Sequence, residues 1–154
     1  SHFRVGGRTA PHLIINPLTG RPASKKNEDG ETLRGDNNVA KFIYCMIEFD
    51  NLAREEQIRF WSAIRLPVVC IVDTGGKSLH GLVDVQKLAR VETMDDWEKL
   101  IRGRLYNRIL NPLGIDMACS NPARLSRLPG HFRKEKGAFQ RMLWLSQEGR
   151  PVNP

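Results

Sequence analysis

The chain has 154 residues and a formal net charge of +7, which corresponds to one domain with a single core. No apolar run is long enough to cross a bilayer and nothing resembles a signal peptide, so we expect a cytoplasmic protein with no membrane partner. The three cysteines are widely spaced and form no C-x-x-C pair, which excludes a disulfide framework. The excess of basic residues favours a polyanionic partner such as nucleic acid, with a merely soluble basic surface as the alternative.

Residues 1–38 form the first predicted unit, an N-terminal extension that consists mainly of loop. Residues 13–15 are apolar enough for a short strand. Residues 16–38 are rich in glycine, asparagine, aspartate and lysine, which predicts a long surface loop. Loops of this length are often functional or mobile.

The core region, residues 39–146, begins with a strand and a helix. Residues 41–49 form an almost continuous apolar run, which predicts a buried strand, β1. Strand alternation places Glu48 and Asp50 on one face at its end. A helix, α1, is predicted over residues 51–65. Its apolar stripe consists of Ala53, Phe60, Trp61 and Ile64.

Two further strands follow, joined by a glycine turn. Residues 68–73 predict a buried strand, β2, and residues 74–77 predict a tight turn. Residues 78–85 predict the next strand, β3, with Ser78 and His80 on the same face.

The remainder of the core predicts a second helix, a basic segment and a last strand. Thr93 and Asp96 have the spacing of a capping box, which begins helix α2. The apolar stripe of α2 consists of Trp97, Ile101, Leu105 and Ile109. Residues 115–138 form an irregular basic segment, and residues 139–145 predict the last strand, β4. Residues 147–154 are predicted to be a linker tail.

The order β-α-β-β-α-β predicts an α+β fold, a ferredoxin-like or RRM-like sheet with two helices on one face. Right-handed crossovers favour the strand order 4-1-3-2. In that order, the end of β1, the start of β3 and the segment before β4 meet at one edge of the sheet. We expect Glu48, Asp50, Ser78 and His80 to share the open face, because the more apolar face must pack against the helices.

Three carboxylates are the predicted catalytic residues and metal ligands: Glu48, Asp50 and Asp116. Carboxylate oxygens suit Mg²⁺ or Mn²⁺, and a pair of such ions can activate a 3′-hydroxyl and stabilise a leaving pyrophosphate. The alternative for Asp50 is the N-cap of α1. The alternative for Asp116 is a plain turn residue.

The turn and the start of β3 offer donors for a triphosphate. Lys77, Ser78 and His80 are the predicted donors, assisted by the backbone amides of the glycine turn. The alternatives are a solvated lysine of the turn for Lys77 and, for His80, a strand histidine whose hydrogen bonds are satisfied.

Basic residues before β4 are predicted to bind phosphates of a nucleotide or of a template. The predicted nucleotide-binding pair is Arg124 and Arg127, and the predicted nucleic-acid-binding set is Arg133, Lys134 and Lys136. The alternative is a solvated charged loop, which accounts for the lysines better than for Arg124 and Arg127.

Three short motifs occur together in order: Glu48-Phe49-Asp50, Ser78-Leu79-His80 and Ile115-Asp116. With them, residues 39–145 resemble the archaeo-eukaryotic primase superfamily, the primase–polymerase domains common in phage, plasmid and mobile-element replication proteins. The resemblance implies that the acids bind the catalytic metals and that the Ser-x-His motif contacts the incoming nucleotide. Two departures are Glu48, where aspartate is commoner, and the short, loop-rich N-terminal segment.

The resemblance implies a DNA primase or polymerase that joins nucleoside triphosphates on a single-stranded DNA template with two Mg²⁺ or Mn²⁺ ions. It also implies frequent fusion to a helicase domain. One alternative is a non-catalytic, RRM-like module that binds single-stranded nucleic acid through exposed strand aromatics, for which β1 offers Tyr44. A lower alternative is a rolling-circle nicking enzyme, whose nucleophile would have to be Tyr106 in the middle of α2.

Overall fold

The central element of the fold is a four-stranded antiparallel sheet in a computed structural model that describes residues 4–5, 8–25 and 29–153. Its strands are β1 (Tyr44–Ile47), β2 (Val68–Asp73), β3 (Leu79–Asp84) and β4 (Arg141–Arg150). Helix α1 (Arg54–Ala63) follows β1, and α2 precedes β4 as an α-helical turn (Met94–Asp96) continued by a π-helix (Trp97–Leu110). The predicted α+β class and the element order are confirmed.

Short strand pairs surround this sheet. They pair Arg4–Val5 with Arg8–Thr9, Ala23–Ser24 with Glu31–Thr32, His12–Ile14 with Leu125–Arg127, and Phe132–Arg133 with Ala138–Phe139. In the part of the chain that the structure describes, no helix has the length and apolar character needed to cross a membrane.

The position of β4 differs from the prediction. The strand order is 4-2-3-1, so β4 pairs with β2 and not with β1. The approach of β4 explains this difference, because the carbonyl of Phe139 lies against Gly75 in the β2–β3 turn. Gly75 has φ +67°, and a Cβ there would come within 3.1 Å of the Phe139 oxygen. The chain therefore enters the sheet beside β2, and its last strand continues through Arg150, into the residues assigned to a tail.

The helices cover one face of the sheet, as expected. The main core there joins β1 and β3 to both helices through a largely aromatic and aliphatic set: Cys45, Ile47, Phe49, Trp61, Leu79, Val83, Trp97, Ile101, Leu105 and Leu110. Thr93 and Asp96 form the predicted capping box, with Thr93 Oγ1 accepting from the Asp96 backbone amide at 3.1 Å.

The π-winding of α2 changes which of its residues face the core. A π-turn takes more residues than an α-turn, so the i, i+4 stripe drifts along the helix. Leu110 is fully buried, whereas Ile109, predicted for the stripe, is 55% exposed. Tyr106 is fully buried and donates a hydrogen bond to the Met46 carbonyl. A tyrosine in this position is unsuited to act as the nucleophile of a nicking enzyme.

The opposite face of the sheet was predicted to be open, and this was wrong. Ile15 and Cys119 pack there against Met46, Val72 and Leu82, which makes a second, smaller core. The cause is the pairing of His12–Ile14 with Leu125–Arg127, which lays both segments across this face.

Asn16 attaches the same layer to the start of β1. Its side-chain amide donates to the carbonyls of Tyr44 and Pro122, and its oxygen accepts from the Ile43 and Tyr44 amides. The division of the chain at residues 38 and 146 stays a prediction.

Candidate active site

A broad cleft of about 910 Å³ lies where β1 ends and β3 begins. Eight of the predicted site residues line it: Glu48, Asp50, Ser78, His80, Asp116, Arg124, Arg127 and Arg133. Three others, Lys77, Lys134 and Lys136, are exposed and lie outside the lining. The cleft thus contains most of the predicted polar residues.

Glu48 is the most heavily hydrogen-bonded carboxylate of the cleft. Its Oε1 accepts from Ser78 Oγ at 2.5 Å and lies 3.2 Å from His80 Nε2. Its Oε2 accepts from the thiol of Cys119 at 3.4 Å. These contacts arise because β1 and β3 are antiparallel neighbours, with Ile47 opposite Gly81.

The hydrogen bonds keep Glu48 ionised although its side chain is only 12% exposed. Burial alone would raise the pKa of Glu48, but the hydrogen bonds from His80, Ser78 and Cys119 outweigh it and lower the pKa to about 2. The site therefore carries a fixed negative charge at neutral pH.

The second nitrogen of His80 determines which tautomer faces Glu48. The backbone amide of Arg127 donates to His80 Nδ1 at 3.3 Å, and Ser126 Oγ lies 3.2 Å from the same nitrogen. Because a backbone N–H can only donate, Nδ1 is the acceptor and the ring proton is on Nε2. Both ring nitrogens of His80 thus have partners on other elements, as the alternative of a satisfied strand histidine requires, and its predicted contact with a triphosphate stays a prediction.

Asp116 reaches Glu48 by a route that differs from the predicted one. The prediction placed β4 beside β1, whereas the observed link is the Asp116 amide, which donates to the Glu48 carbonyl at 2.9 Å. The Asp116 carboxylate accepts from the Ala118 amide at 2.9 Å and so caps a short 3₁₀-helix, Met117–Ser120. Capping leaves its other oxygen, Oδ2, turned toward Cys119 at 3.3 Å.

Among the described residues, Glu48, Asp116 and Cys119 form a compact group whose ligand atoms lie within 4.8 Å of one another. Burial raises the pKa of the Cys119 thiol, and the charges of Glu48 and Asp116 raise it further. The thiol thus stays protonated and donates to the carboxylates instead of binding a soft metal as a thiolate. The available donors are carboxylate oxygens, which fit Mg²⁺ or Mn²⁺.

Asp50 lies on the rim of the same cleft, outside that compact group. Helix α1 begins at Arg54 with Ala53 as its N-cap, so the alternative role of Asp50 as the cap is wrong. Partial burial and the nearby charges of Glu48 and Asp116 raise the pKa of Asp50. A mutual repulsion of this kind is what a bound cation would relieve.

Cations line the same cleft beside the carboxylates. Arg124 lies 4.0 Å from Asp116, and Arg133 donates to the Thr74 carbonyl at 3.1 Å. Burial and the positive charge of Arg133 lower the pKa of Arg127. Burial and the charge of Arg127 likewise lower the pKa of His12. Crowded positive groups of this kind favour an anionic ligand between them.

The glycine turn serves as a support rather than an open phosphate cradle. The Gly75 amide donates to Asp73 Oδ1 at 2.9 Å, and Asp73 also binds Arg54 of α1 at 2.6 Å. Thr74 Oγ1 donates to the Ser78 carbonyl at 2.7 Å, which closes the turn. The turn holds Ser78 in position, while the side chain of Lys77 extends into solvent.

The N-terminal segment supplies one wall of the cleft, and none of the residues in this wall was predicted to belong to the site. The lining residues from this segment are His12, Ser24, Lys25, Thr32, Arg34, Gly35, Asp36 and Asn37. Asp36 ties the wall to the basic segment by accepting from Asn121 and from the Ala123 amide. The only sequence signal was the apolar stretch at residues 13–15, because strands of two or three residues carry no readable period.

No protein-family model and no curated protein sequence matches the chain. Among solved structures, it is similar to the AEP domain of the cyanophage S-2L primase-polymerase, with a TM-score of 0.53 and 21% identity. The match covers 81% of this chain and 63% of that chain, so the chain spans less than two thirds of that chain's length. The chain therefore shares its fold with a primase-polymerase domain.

Proposed function

We propose that the domain is a metal-dependent nucleotidyltransferase of the primase–polymerase type, which extends or starts a strand on a single-stranded DNA template. One observation carries the proposal: a single cleft holds three carboxylates, Glu48, Asp50 and Asp116, together with several arginines. The shared fold with a primase-polymerase AEP domain supports it. The template, the nucleoside triphosphates and a helicase domain in the same protein are all parts of this proposal.

The carboxylates would hold the metal ions. Glu48 and Asp116 are close enough to share an ion, and Asp50 on the rim is available for a second one. Bound Mg²⁺ or Mn²⁺ ions would lower the pKa of a 3′-hydroxyl and neutralise charge on the departing pyrophosphate.

The remaining polar residues of the cleft would bind and orient the substrate. Arg124 and Arg127 would provide positive charge for a triphosphate within the same cleft. Ser78 and His80 hold Glu48 in one rotamer, and His80 also links β3 to the Ser126–Arg127 backbone. Substrate phosphates and metal ligands thus share one hydrogen-bonded frame.

The test is synthesis on a single-stranded template, with and without a primer, in Mg²⁺ or Mn²⁺. The variants are Asp50→Asn and Asp116→Asn, which keep side-chain size and remove one charge each. The matched control is Asp95→Asn, because Asp95 is an exposed carboxylate on α2 that pairs with Lys99. We expect metal-dependent product from wild type and the control, and at least a ~100-fold loss in the two cleft variants.

Either of two results would contradict the proposal. One is wild-type protein that binds single-stranded DNA but makes no product with either metal, which would favour a non-catalytic binding module. The other is full activity in Asp116→Asn, which would separate the carboxylate cluster from the chemistry.

A further inference from the structure

A small hairpin beside the cleft presents two aromatic rings to solvent. Phe132 and Phe139 lie directly opposite each other in the pair Phe132–Arg133 and Ala138–Phe139. Their ring centroids are 4.9 Å apart with an interplanar angle of 56°. Phe132 is 42% exposed and Phe139 is 50% exposed. The two rings together form an exposed apolar patch, and such patches often mark a binding surface.

The hairpin is fixed in place against the candidate active site. Arg133, next to Phe132 and therefore on the other face, lines the cleft and donates to the Thr74 carbonyl. The Phe139 carbonyl lies against Gly75. The aromatic pair thus occupies the outer face of a hairpin whose inner face forms part of the cleft wall.

Exposed cations lie near the two rings in sequence. Lys134 and Lys136 occupy the 3₁₀ turn at the hairpin tip, and Arg141 follows the second strand. Among the described residues, none of these three forms an ion pair. Aromatic faces flanked by unpaired cations are the combination that binds single-stranded nucleic acid, since bases stack on the rings and the cations attract the phosphates.

We propose that this hairpin, with Phe132 and Phe139, is a stacking platform for bases of single-stranded DNA that passes beside the cleft. The inference rests on the proposed function, because it assigns a contact surface to the template of that reaction. Lys134 and Lys136, which lie outside the cleft lining, then contact the DNA backbone and not the nucleotide.

The test measures DNA binding separately from catalysis. Fluorescence anisotropy of 5′-fluorescein-labelled dT20 is recorded without metal or nucleotide, for wild type and for the double variant Phe132→Leu and Phe139→Leu. Leucine keeps an apolar side chain and removes the aromatic face. We expect the dissociation constant of the variant to rise about 5- to 150-fold, the range for loss of base stacking.

The matched control is Leu143→Ala with Leu145→Ala, a change of two apolar side chains on β4 that are 50% and 62% exposed. We expect unchanged DNA binding there. As a second measurement, Phe139→Trp introduces a ring that can still stack, and its fluorescence should be quenched when dT20 is added. Circular dichroism verifies that each variant is folded.

Unchanged affinity in the double leucine variant would overturn the inference, as would wild-type protein that does not bind dT20. An equal loss of DNA affinity in the control, Leu143→Ala with Leu145→Ala, would contradict the inference and indicate general apolar association. A dimer in sedimentation that the double variant dissociates would identify the rings as a protein interface. If DNA binding depends on the rings but wild type makes no product, the stacking platform is supported and the proposed function is contradicted. If wild type makes product but its DNA binding does not depend on the rings, the proposed function is supported and the stacking platform is contradicted.

Discussion

The substitution Gly81→Ala tests how closely helix α1 packs on the sheet below the cleft. Gly81 lies within β3, between Ile47 of β1 and Ile71 of β2. A Cβ there would come within 2.0 Å of Trp61 Cη2 and 2.2 Å of its Cζ2. Trp61 is only 2% exposed, so the indole ring has no solvent-filled space into which it can move.

The size of the effect follows from this geometry. To restore an ordinary contact of 3.4 Å or more, the ring or the strand must move by more than 1 Å. Overpacking of this kind costs about 1–3 kcal/mol. The close approach places the overpacking cost near the upper end of that range, about 3 kcal/mol. Alanine gains ~0.5–1 kcal/mol over glycine in backbone entropy, which offsets part of this cost and leaves a net loss of about 2 kcal/mol. For a domain of this size the melting temperature should fall by about 4–8 °C.

Urea unfolding followed by circular dichroism measures the loss, and a double-mutant cycle identifies its cause. Trp61→Phe shortens the ring that meets the new methyl group. In that background Gly81→Ala should cost at least ~1 kcal/mol less than in wild type. The same cost in both backgrounds, or a variant as stable as wild type, would refute the packing argument.

Three further predictions concern the carboxylates. The pKa of Glu48 is lowered from 4.5 to about 2, so its stabilising contribution is complete above about pH 4.5 and is lost as pH falls toward 2. Between pH 5 and pH 3 the free energy of unfolding of wild type should therefore fall by about 1–2 kcal/mol more than that of Glu48→Gln, after allowance for solvent screening. An equal fall for both proteins in urea titrations would contradict this. Ser78→Ala removes the hydroxyl that donates to Glu48 at 2.5 Å, so the pKa of Glu48 should rise. The loss of activity on the acidic side of the pH profile should then occur at higher pH, and an unchanged profile would show that this hydrogen bond does not control it. Cys119→Ala removes a donor shared by Glu48 and Asp116 and should weaken Mn²⁺ binding several-fold in calorimetry, while Cys119→Ser should restore it.

The contacts of Glu48 with β3 were predictable because they depend on two simple facts. Strand alternation sets which residues share a face, and β1 and β3 are neighbours in both the predicted order 4-1-3-2 and the observed order 4-2-3-1. The predicted closeness of Glu48 to Ser78 and His80 therefore does not depend on where β4 lies. The bounds of β2, Val68–Asp73, also match, since Pro67 and the glycine turn delimit that strand.

The rest was decided by contacts between residues far apart in sequence. The wall from the N-terminal segment depends on His12 facing Arg127 and on Asp36 meeting Asn121. Nothing in the local composition of either segment indicates its partner. The burial of Leu110 in place of Ile109 could not be predicted from the sequence either. The apolar stripe of α2 fits α-helical spacing, so it did not indicate the observed π-winding.

Asn16 has a consequence for how the domain acquires its cleft during folding. This one side chain bonds to Tyr44, 28 positions away, and to Pro122, 106 positions away. Closing so long a loop costs chain entropy before any contact compensates for it, and high contact order slows folding. Sheet and helices can form earlier from nearer segments. The ability to bind a substrate should therefore appear in the slowest refolding phase. Partly folded chains would have the carboxylates in place without the wall that the N-terminal segment forms.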